Sequence, residues 1–541
     1  MRTHSSTSWP AWIFVSAIVA CGSADADGEA ALGGSGGNFG TGAVSTGGGG
    51  VVVPPTAGSG GSSAGTGGVP PEPEVEIEST YEAPVATDRF VWAANPETGR
   101  VALINAETFD VRLAEAGLSP TVVAAVPRAE DGTDAALVLN TGSEDATLLE
   151  INGAGELTRA MVETHAGANA IAVTPSGRFA IVWTNAAVAG EELDPTDSAQ
   201  DITVVNLSGE LEGTQLSVGF RPSRVVFDEA EERAFVVTEP GLSVIELGAS
   251  PRVGGHVELT ASPADANARD VSVTPDGEIA LVRLDGSTSL GVVSIATGER
   301  EDVELGNFVT DLDLSSDGRR AFAVVGDELV VIPIPVAGVD PSSFVRTRVT
   351  DVVIRSVALS PDASLALLYS NASPSPYLTV LSASEDFADA VGRSVDLKAP
   401  VQAVFAAPDA RHAIALQATA PGSRKGGAFS LVTAQMDRTP KIVGTDAAPM
   451  AVAFSPDGAA AVIATRDLTQ KLYGAYLVHL ENLEENFLPL ASPPLAAGMV
   501  PRAGRAFVAQ AHPEGRITFL DLADGSSRTL TGFELAAQIV E

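Results

Sequence analysis

Alternating apolar and polar positions recur along most of this chain in pairs of short runs, and a tight turn joins the two runs of each pair. The clearest copies are VAFSPDGAAAVIAT at Val452–Thr465 and VSVTPDGEIALV at Val271–Val282, and weaker copies include LDLSSDGRRAFAV and VALSPDASLALL. Alternation with a period of two predicts a β-strand on each side of the turn. In the turn itself, Ser or Thr opens a type I turn, Pro presets φ, Asp is tolerated third and Gly closes it. Each copy therefore predicts an antiparallel hairpin.

The spacing of these hairpins predicts an all-β fold, a β-propeller of four-stranded blades. Successive units begin about 41 to 54 residues apart, which is typical of propeller blades. In each unit one strand precedes the turn, a second follows it, and two more come after a looser connection. The nine turn-anchored units begin near Pro120, Ala168, Pro222, Ala268, Val309, Ile354, Val401, Pro449 and Ala496.

The two ends of the repeat region complete one another in this interpretation. Residues 89–117 begin at the second strand of a blade and lack a first strand, whereas Phe533–Val540 reads as a first strand with nothing after it. Joining them predicts one more blade, sewn from both termini, with Phe533–Val540 as its inner strand. Such closure removes the open sheet edges that otherwise invite aggregation.

The resulting count of about ten units exceeds the four to eight blades typical of propellers. Three alternatives are compatible with the sequence: one large ring, two smaller propellers in tandem, or a ring in which one or two units are miscounted. No linker-like stretch divides the repeats, and this favours the single ring.

The first 20 residues have the pattern of a lipoprotein signal peptide. Arg2 precedes the apolar run Ala11–Ala20, which is too short to span a bilayer, and Ile18-Val19-Ala20-Cys21 resembles the bacterial lipobox. That resemblance implies acylation of Cys21, removal of residues 1–20, and a palmitate-type membrane anchor. The alternative is an ordinary secretory signal with an incidental Cys. Cys21 is the only cysteine of the 541 residues, which favours the anchor and excludes disulfides and Cys-ligated metals.

The residue after the cysteine and the stretch beyond it bear on location. Gly22 in place of Asp resembles the sorting pattern for the outer membrane, so the expected location is the cell envelope, with the anchor in the outer membrane. Residues 21–86 are rich in Gly, Ser and Pro and have no apolar periodicity, which predicts a disordered linker. Its expected reach is roughly 40 Å. The propeller is expected to occupy residues 87–541.

Acidic residues outnumber basic ones by 69 to 32, a formal net charge of −37. A body this acidic is repelled by phosphate backbones, so no nucleic-acid partner is expected. Anionic lipid headgroups repel it too, and the lipid on Cys21 is therefore expected to hold the body at the membrane. The alternative reading of the charge is solubility alone, and the chain is expected to be a monomer.

Two segments resemble the YVTN-type, lactonase-like repeats of bacterial surface proteins. They are RFVWAANPETGRVALINAETFDV and AFSPDGAAAVIAT, the latter with its upstream Pro449, and the resemblance covers about Thr87–Glu541. The family implies a propeller, usually with seven blades, so ten units depart from its pattern. Its lactonase-like members imply an active site in the central channel.

The loops that enter the first strand of each blade converge near the central channel of a propeller, where ligands usually bind. The candidate channel-binding residues there are Arg224, Arg269, Asp270, Asp311, Arg355 and Gln402. Arginines and aspartates around one axis predict a site for a carboxylate or a sugar acid. The alternative is that they pair with one another or face solvent. No catalytic residue, metal site or cofactor is predicted, because the histidines fall at different points of different blades and no catalytic motif occurs in context.

Two functions remain as hypotheses. The first is a lipid-anchored, non-catalytic binding or scaffold module that holds a protein or glycan partner. The second is an envelope lactonase or hydrolase that uses the arginines and acids of the channel.

Overall fold

Ten antiparallel sheets follow one another along the chain, each built from four consecutive strands. The computed structural model describes residues 51–52, 79–128, 132–185, 199–260, 269–382, 387, 390–435 and 438–539. We number the sheets as blades 1 to 10 in chain order and call the four strands of each blade a, b, c and d. The expected β-propeller of four-stranded blades is confirmed.

The strands have the following bounds. The first half of the chain contains β1 (Val51–Val52), then blade 1 with β2 (Val85–Ala86), β3 (Phe90–Asn95), β4 (Arg100–Asn105) and β5 (Val111–Glu115), blade 2 with β6 (Pro120–Val126), β7 (Asp134–Asn140), β8 (Asp145–Ile151) and β9 (Leu157–Glu163), blade 3 with β10 (Ala170–Val173), β11 (Phe179–Trp183), β12 (Asp201–Asn206) and β13 (Glu212–Ser217), blade 4 with β14 (Arg224–Phe227), β15 (Arg233–Val237), β16 (Gly241–Glu246) and β17 (Arg252–Glu258), and blade 5 with β18 (Arg269–Val273), β19 (Ile279–Leu284), β20 (Ser289–Ser294) and β21 (Arg300–Glu304). The second half contains blade 6 with β22 (Val309–Leu314), β23 (Arg320–Val325), β24 (Glu328–Pro333) and β25 (Val345–Arg348), blade 7 with β26 (Ser356–Leu359), β27 (Leu365–Tyr369), β28 (Tyr377–Ser382) and β29 (Val391–Asp396), blade 8 with β30 (Val401–Ala406), β31 (His412–Gln417), β32 (Gly427–Thr433) and β33 (Lys441–Thr445), blade 9 with β34 (Ala448–Phe454), β35 (Ala460–Asp467), β36 (Leu472–His479) and β37 (Glu484–Pro489), and blade 10 with β38 (Pro494–Val500), β39 (Arg505–Gln510), β40 (Arg516–Asp521) and β41 (Ser527–Thr531). A 3-10 turn at Pro341–Ser343 lies inside blade 6, and a short helix α1 (Phe533–Ala536) and a last strand β42 (Ala537–Ile539) follow blade 10.

A closed ring follows from how the blades pack. The described residues form ten apolar clusters, and each cluster joins two blades that are neighbours in the chain or, in one case, the last blade to the first. The closing cluster packs Phe507 and Phe519 of blade 10 against Ala86 and Val91 of blade 1. The ten blades therefore form one ring, and the alternatives of two tandem propellers or a miscount are wrong.

Strand a lies at the centre of the ring and strand d at its rim. The outer strands are mostly exposed, as in β9, β13 and β17. The inner strands of neighbouring blades touch: Asp311 and Asp313 of β22 accept hydrogen bonds from the backbone N–H groups of Val357 and Leu359 of β26. Because both residue pairs advance in the same direction, the two inner strands run parallel.

This topology creates two different faces. Since successive strands are antiparallel, the a–b turns and c–d connections of all blades lie on one face, which we call the turn face. The b–c connections and the d–a connections between blades lie on the other, which we call the loop face.

The turn predicted from the sequence has the expected geometry. In blade 5 the hydroxyl of Thr274 donates to Oδ1 of Asp276 at 2.6 Å and accepts the N–H of Ile279 at 3.1 Å. Gly277, which closes the turn, has a φ of 67°, a conformation that costs glycine little. The same Ser–Asp bond occurs in blades 6, 7 and 9.

The predicted route of ring closure is wrong. Phe533–Val540 does not form the inner strand of blade 1, because Val85–Ala86 occupies that position against β3. Residues from Phe533 instead form α1, and β42 adds to the outer edge of the blade, parallel to β5. The Phe533 side chain is buried in the closing cluster and meets Tyr81 edge-on, with ring centroids 5.0 Å apart. The two termini do meet in one blade, but the rim receives the C-terminal strand.

Several sequence expectations concern residues at the edge of the described ranges or outside them. Cys21, the signal peptide and nearly all of the linker lie outside the described residues; within the linker, Val51–Val52 pairs antiparallel with β34 of blade 9. The first strand of blade 1 is Val85–Ala86. Among the described residues, no helix has the length and apolarity needed to cross a bilayer.

Candidate functional site

The six candidate residues lie where the sequence analysis places them, at or near the beginning of inner strands. Arg224 opens β14, Arg269 and Asp270 open β18, Asp311 is in β22, Arg355 directly precedes β26, and Gln402 is in β30. The structure brings them together only in part. Asp270 is electrostatically coupled to Asp311, and Arg224 and Arg269 flank one blade boundary.

Asp311 and Asp313 join blade 6 to blade 7. Their side chains are buried, and each carboxylate takes one N–H of its own strand and one of the next inner strand. Asp311 Oδ2 accepts from Val357 at 2.9 Å, and Asp313 Oδ2 accepts from Leu359 at 3.1 Å. These N–H groups lie on the channel side of β26, where none of the described strands follows, so the carboxylates occupy an otherwise open sheet edge.

Burial dominates the electrostatics of this acid pair. Burial raises the pKa of Asp311 to about 7, although the N–H bonds from Val357 and Leu312 and the Arg283 guanidinium act in the opposite direction. Burial likewise raises the pKa of Asp313 to about 7, and the charge of Asp311 adds to the effect. Each carboxyl is therefore close to half protonated near neutral pH.

The neighbouring blade contributes an acid and a base on one side of its sheet. Asp270 and Arg283 are directly opposite in the pairing of β18 with β19, so their side chains share a face. That face meets blade 6, because Leu281, two residues from Arg283, packs in the cluster of blades 5 and 6. The Arg283 guanidinium donates to Asp285 at 2.6 Å.

In blade 7, a buried tyrosine bonds to the inner strand of the following blade, as the two aspartates of blade 6 do. Tyr369 is buried in β27, and it is hydrogen-bonded to the Ser356 side chain and to the backbone of Val404, which belongs to the inner strand of blade 8. Burial raises the pKa of the Tyr369 hydroxyl, and the nearby charges of Asp311 and Asp313 raise it further. The tyrosine is therefore a neutral hydrogen-bonding group between two inner strands.

These groups are arranged for holding blades together. The oxygens of Asp311 and Asp313 point at backbone N–H groups, and both side chains are shielded from solvent. No group of three or more acidic, His or Cys side chains within the described ranges is placed to hold a metal ion.

The arginines and the glutamine have different surroundings. Arg269 donates to the backbone carbonyls of Thr238 and Glu239, the latter at 3.1 Å, and to the Thr260 hydroxyl at 3.3 Å. Arg224 and Arg355 are exposed at the loop face. The Gln402 carbonyl accepts from the Asn371 side chain at 3.2 Å.

Sequence reasoning missed Asp313, Arg283 and Tyr369. Aligning the repeats on their Ser-Pro-Asp turns reveals a signal for the first of these. The position of Asp313 is Ser272 in blade 5 and Ala358 in blade 7, so an acid there is exceptional. An acid among small residues on an inner strand indicates a special partner, but the sequence does not say that the partner is backbone.

Two of the histidines have unrelated surroundings. His165 is buried on blade 3, with its Nδ1 3.0 Å from the Thr203 hydroxyl, and burial lowers its pKa. His412 contacts Asp409 at 2.5 Å in the turn of blade 8, on the opposite face.

Comparisons with known proteins indicate a fold and no family. No protein-family model and no curated protein matches the chain. Among solved structures, a eukaryotic initiation factor is similar at 14% identity over 74% of this chain and 96% of that chain, with a TM-score of 0.50. The dihydro-heme d1 dehydrogenase NirN matches at 14% identity over 67% and 75%, TM-score 0.41, and the β-propeller domain of Cps50 (Swd1) from Myceliophteria thermophila at 12% over 53% and 91%, TM-score 0.31. At these identities the likeness to the initiation factor shows the propeller fold alone.

Proposed function

We propose that this chain is a lipid-anchored β-propeller of the cell envelope that acts as a non-catalytic binding or scaffold module for a protein or glycan partner. The lipobox at Cys21 and the long Gly/Ser-rich tether support the anchoring. The resemblance to YVTN-type repeats of surface proteins supports the location.

The main support for a non-catalytic role is that the carboxylates of the acid pair are hydrogen-bonded to backbone. Asp311 and Asp313 have the raised pKa values expected of acid–base catalysts, but their oxygens are engaged with the inner strand of the next blade. A catalytic carboxyl has to reach a proton on the substrate. These two side chains instead fix the relative position of blades 6 and 7.

Bridges at the rim support a role as a rigid platform. Cationic side chains in or just before outer strands donate to backbone carbonyls of the neighbouring blade at several boundaries. Arg300 binds the carbonyl of Leu259 at 2.8 Å, Lys441 that of Leu483 at 2.8 Å, and Arg438 that of Glu481 at 3.0 Å. A ring held at its centre and its rim presents its surface loops with little reorganisation on binding.

Replacing the lipobox cysteine tests the anchoring. We expect Cys21→Ser to release the propeller from the membrane fraction into the soluble fraction, because the acyl chains have lost their attachment site. Fractionation of cells followed by a high-salt wash of the membranes measures this. A variant that stays in the washed membrane pellet contradicts the proposal.

An activity screen separates the binding role from the hydrolase alternative. The purified protein is assayed against lactones and esters, alongside a variant in which Arg224, Arg269 and Arg355 are all Ala. Turnover by the parent that is lost in the variant supports an envelope lactonase or hydrolase and overturns the non-catalytic role.

A further inference from the structure

Four side chains surround the b–c connection of blade 4 on the loop face: Phe220, Arg221, Arg224 and Arg269, here called the blade 4 patch. The carbonyl of Phe220 accepts the N–H of Glu239 at 2.9 Å, and Arg221 lies 3.4 Å from the Glu239 carboxylate. Arg269 reaches the carbonyl of the same residue. Two arginines thus contact Glu239, and a third, Arg224, pairs with Val237 two residues before it. The formal net charge of the whole chain is −37.

Arg224 and Arg269 face each other across a blade boundary. On β14, Val226 packs in the cluster of blades 4 and 5, and on β18, Val271 packs in the same cluster. Side chains two apart in a strand share a face, so Arg224 and Arg269 both project to this boundary. Asp270 projects the other way, toward blade 6.

The loop face also carries the exposed apolar side chains of the connections. Among the described residues, every connection residue with a large, well-exposed apolar side chain lies on this face. They are Leu118, Phe220, Phe308, Val353, Leu468 and Leu535. Phe220 is 44% exposed and directly precedes Arg221, so the blade 4 patch joins an aromatic side chain to exposed guanidinium groups.

Charge separates the two faces further. The turn face has Asp or Glu in the turns or connections of every blade, and its arginines bind the next blade: Arg233 of blade 4, for example, donates to the Asp276 carbonyl at 2.7 Å. The described connections of the loop face contain eight acids, fewer than those of the turn face. They are Asp351 and Asp446 between blades, and Glu97, Glu144, Glu239, Asp285, Asp327 and Glu514 within blades. The loop face is therefore the more favourable side for an acidic partner.

We infer that the blade 4 patch is the docking surface for an acidic segment of a protein partner, one in which carboxylates alternate with apolar side chains. This inference rests on the proposed binding role. The exposed Arg224 binds a carboxylate, Arg221 exchanges Glu239 for the incoming acid, and Phe220 packs against an apolar side chain. Arg269 holds the Glu239 backbone in place. Arginine and aromatic side chains are the residue types that dominate protein interfaces, and guanidinium groups pair with carboxylates through two parallel bonds. The exposed Phe220 favours a peptide over a sugar acid, because a leucine side chain offers more apolar surface to an aromatic ring than the C–H face of a sugar does.

A synthetic probe tests the site directly. The full mature chain is titrated into a fluorescent peptide of repeated Glu-Glu-Leu triplets, with Gln-Gln-Leu and Glu-Glu-Ser peptides as controls, and anisotropy is followed. We expect Arg224→Glu and Phe220→Ser each to weaken binding of the acidic peptide at least about tenfold. Arg411→Glu is the matched control, because Arg411 is an exposed arginine in the a–b turn of blade 8, on the turn face, and the charge change is the same. It should change the affinity by less than about twofold.

Three outcomes overturn the inference. Equal loss in Arg224→Glu and Arg411→Glu means that net charge alone attracts the peptide. Equal binding of Glu-Glu-Leu and Glu-Glu-Ser peptides means that Phe220 contributes no apolar contact. Binding that appears only when the acids of residues 191–197 are neutralised means that the arginines serve the chain's own acidic segment.

A second arm keeps this inference distinct from the proposed function. Envelope extract is passed over the immobilised parent and over immobilised Arg224→Glu. A partner retained equally by both proteins leaves the binding role intact and removes the blade 4 patch from it. Retention of no partner by either protein, together with absence of peptide binding, overturns the binding role itself.

Discussion

The side chains of Asp311 and Asp313 lie along the inner edge of blade 7, in the position that an additional strand of that sheet would occupy. Their carboxylates take the N–H groups of Val357 and Leu359 and so satisfy an edge that the ring leaves open. The cost is burial of two acids, visible in the rise of each pKa to about 7. Blade cohesion at this boundary therefore depends on the protonation of two side chains.

The pH dependence of stability follows from these pKa values. Unfolded, both carboxyls titrate near their ordinary value of 3.8, whereas in the folded ring they hold protons up to about pH 7. Between about pH 4 and 7 the folded state binds more protons, so the free energy of unfolding falls as pH rises. We expect Asp311→Asn with Asp313→Asn to match the parent near pH 4. Near pH 8 the double variant should be more stable by on the order of 4 kcal/mol for each carboxyl, because each pKa is raised from 3.8 to about 7.

Denaturant unfolding across this pH range is the measurement. A carboxamide resembles the protonated carboxyl in offering one acceptor oxygen, so the variant keeps half of each interaction. Asp270 and Arg283 act on the same pair and should be left unchanged. Asp351→Asn, at an exposed position of the loop face, is the control, and its curve should follow the parent. Parallel curves for the double variant and the parent contradict the assignment.

The glycine of the repeated turn has a second role beyond its backbone conformation. A Cβ on Gly458 would lie 2.5 Å from the backbone nitrogen of Asp409 in the preceding blade. Gly504 holds the same place in the turn of blade 10 with a φ of 58°, but nothing lies within 4 Å of its would-be Cβ. Replacing each glycine with alanine therefore separates the conformational cost of a side chain at positive φ from the cost of its contact with the neighbouring blade.

We expect Gly504→Ala to cost about 1 kcal/mol, the price of a left-handed residue with a side chain. Gly458→Ala should cost about 1–3 kcal/mol more, because backbone of blade 8 has to move. Thermal or denaturant unfolding of both variants decides the matter, and equal losses would show that the turn glycine serves its φ alone. Sequence patterns predicted the turn at these positions, but contact with a neighbouring blade depends on tertiary packing that no local pattern encodes.

At the scale of elements, the two C-terminal elements contribute unequally to the packing that closes the ring. Phe533 in α1 is buried against Tyr81 in the cluster that closes the ring, whereas β42 only extends the rim beside β5. The alternation in FELAAQIV reads equally well as a strand. Burial of Phe533 within the closing cluster, which the sequence does not reveal, accompanies its helical turn.

This division predicts different effects for two changes near the C-terminus. Phe533→Ala should lower the free energy of unfolding by about 3–5 kcal/mol, because a buried ring leaves a cavity. Removing residues 537–541 should cost less than about 1 kcal/mol, since only one parallel edge strand is lost. Urea unfolding of both proteins is compared with the parent. A larger loss from the truncation would make the edge strand the true closure.

For the whole molecule, the sequence predicted the propeller and its ten units, because each blade repeats the same local turn and alternation. It could not predict that Val85–Ala86 supplies the inner strand, since two residues carry too little periodicity. At the loop face it identified Arg224 and Arg269 individually. Their projection to one blade boundary follows from strand register and from the apolar cluster beneath them, which become visible only when the ring is assembled.

The body receives its N-terminal segment on the loop face. Ser79 and Thr80 hydrogen-bond to the carbonyls of His512 and Pro513, in the b–c connection of blade 10. If Cys21 bears the acyl chains, the linker joins the propeller on the same face that carries the exposed arginines. The length of the linker then sets the distance between the bilayer and the propeller, and hence the size of a partner that fits between them.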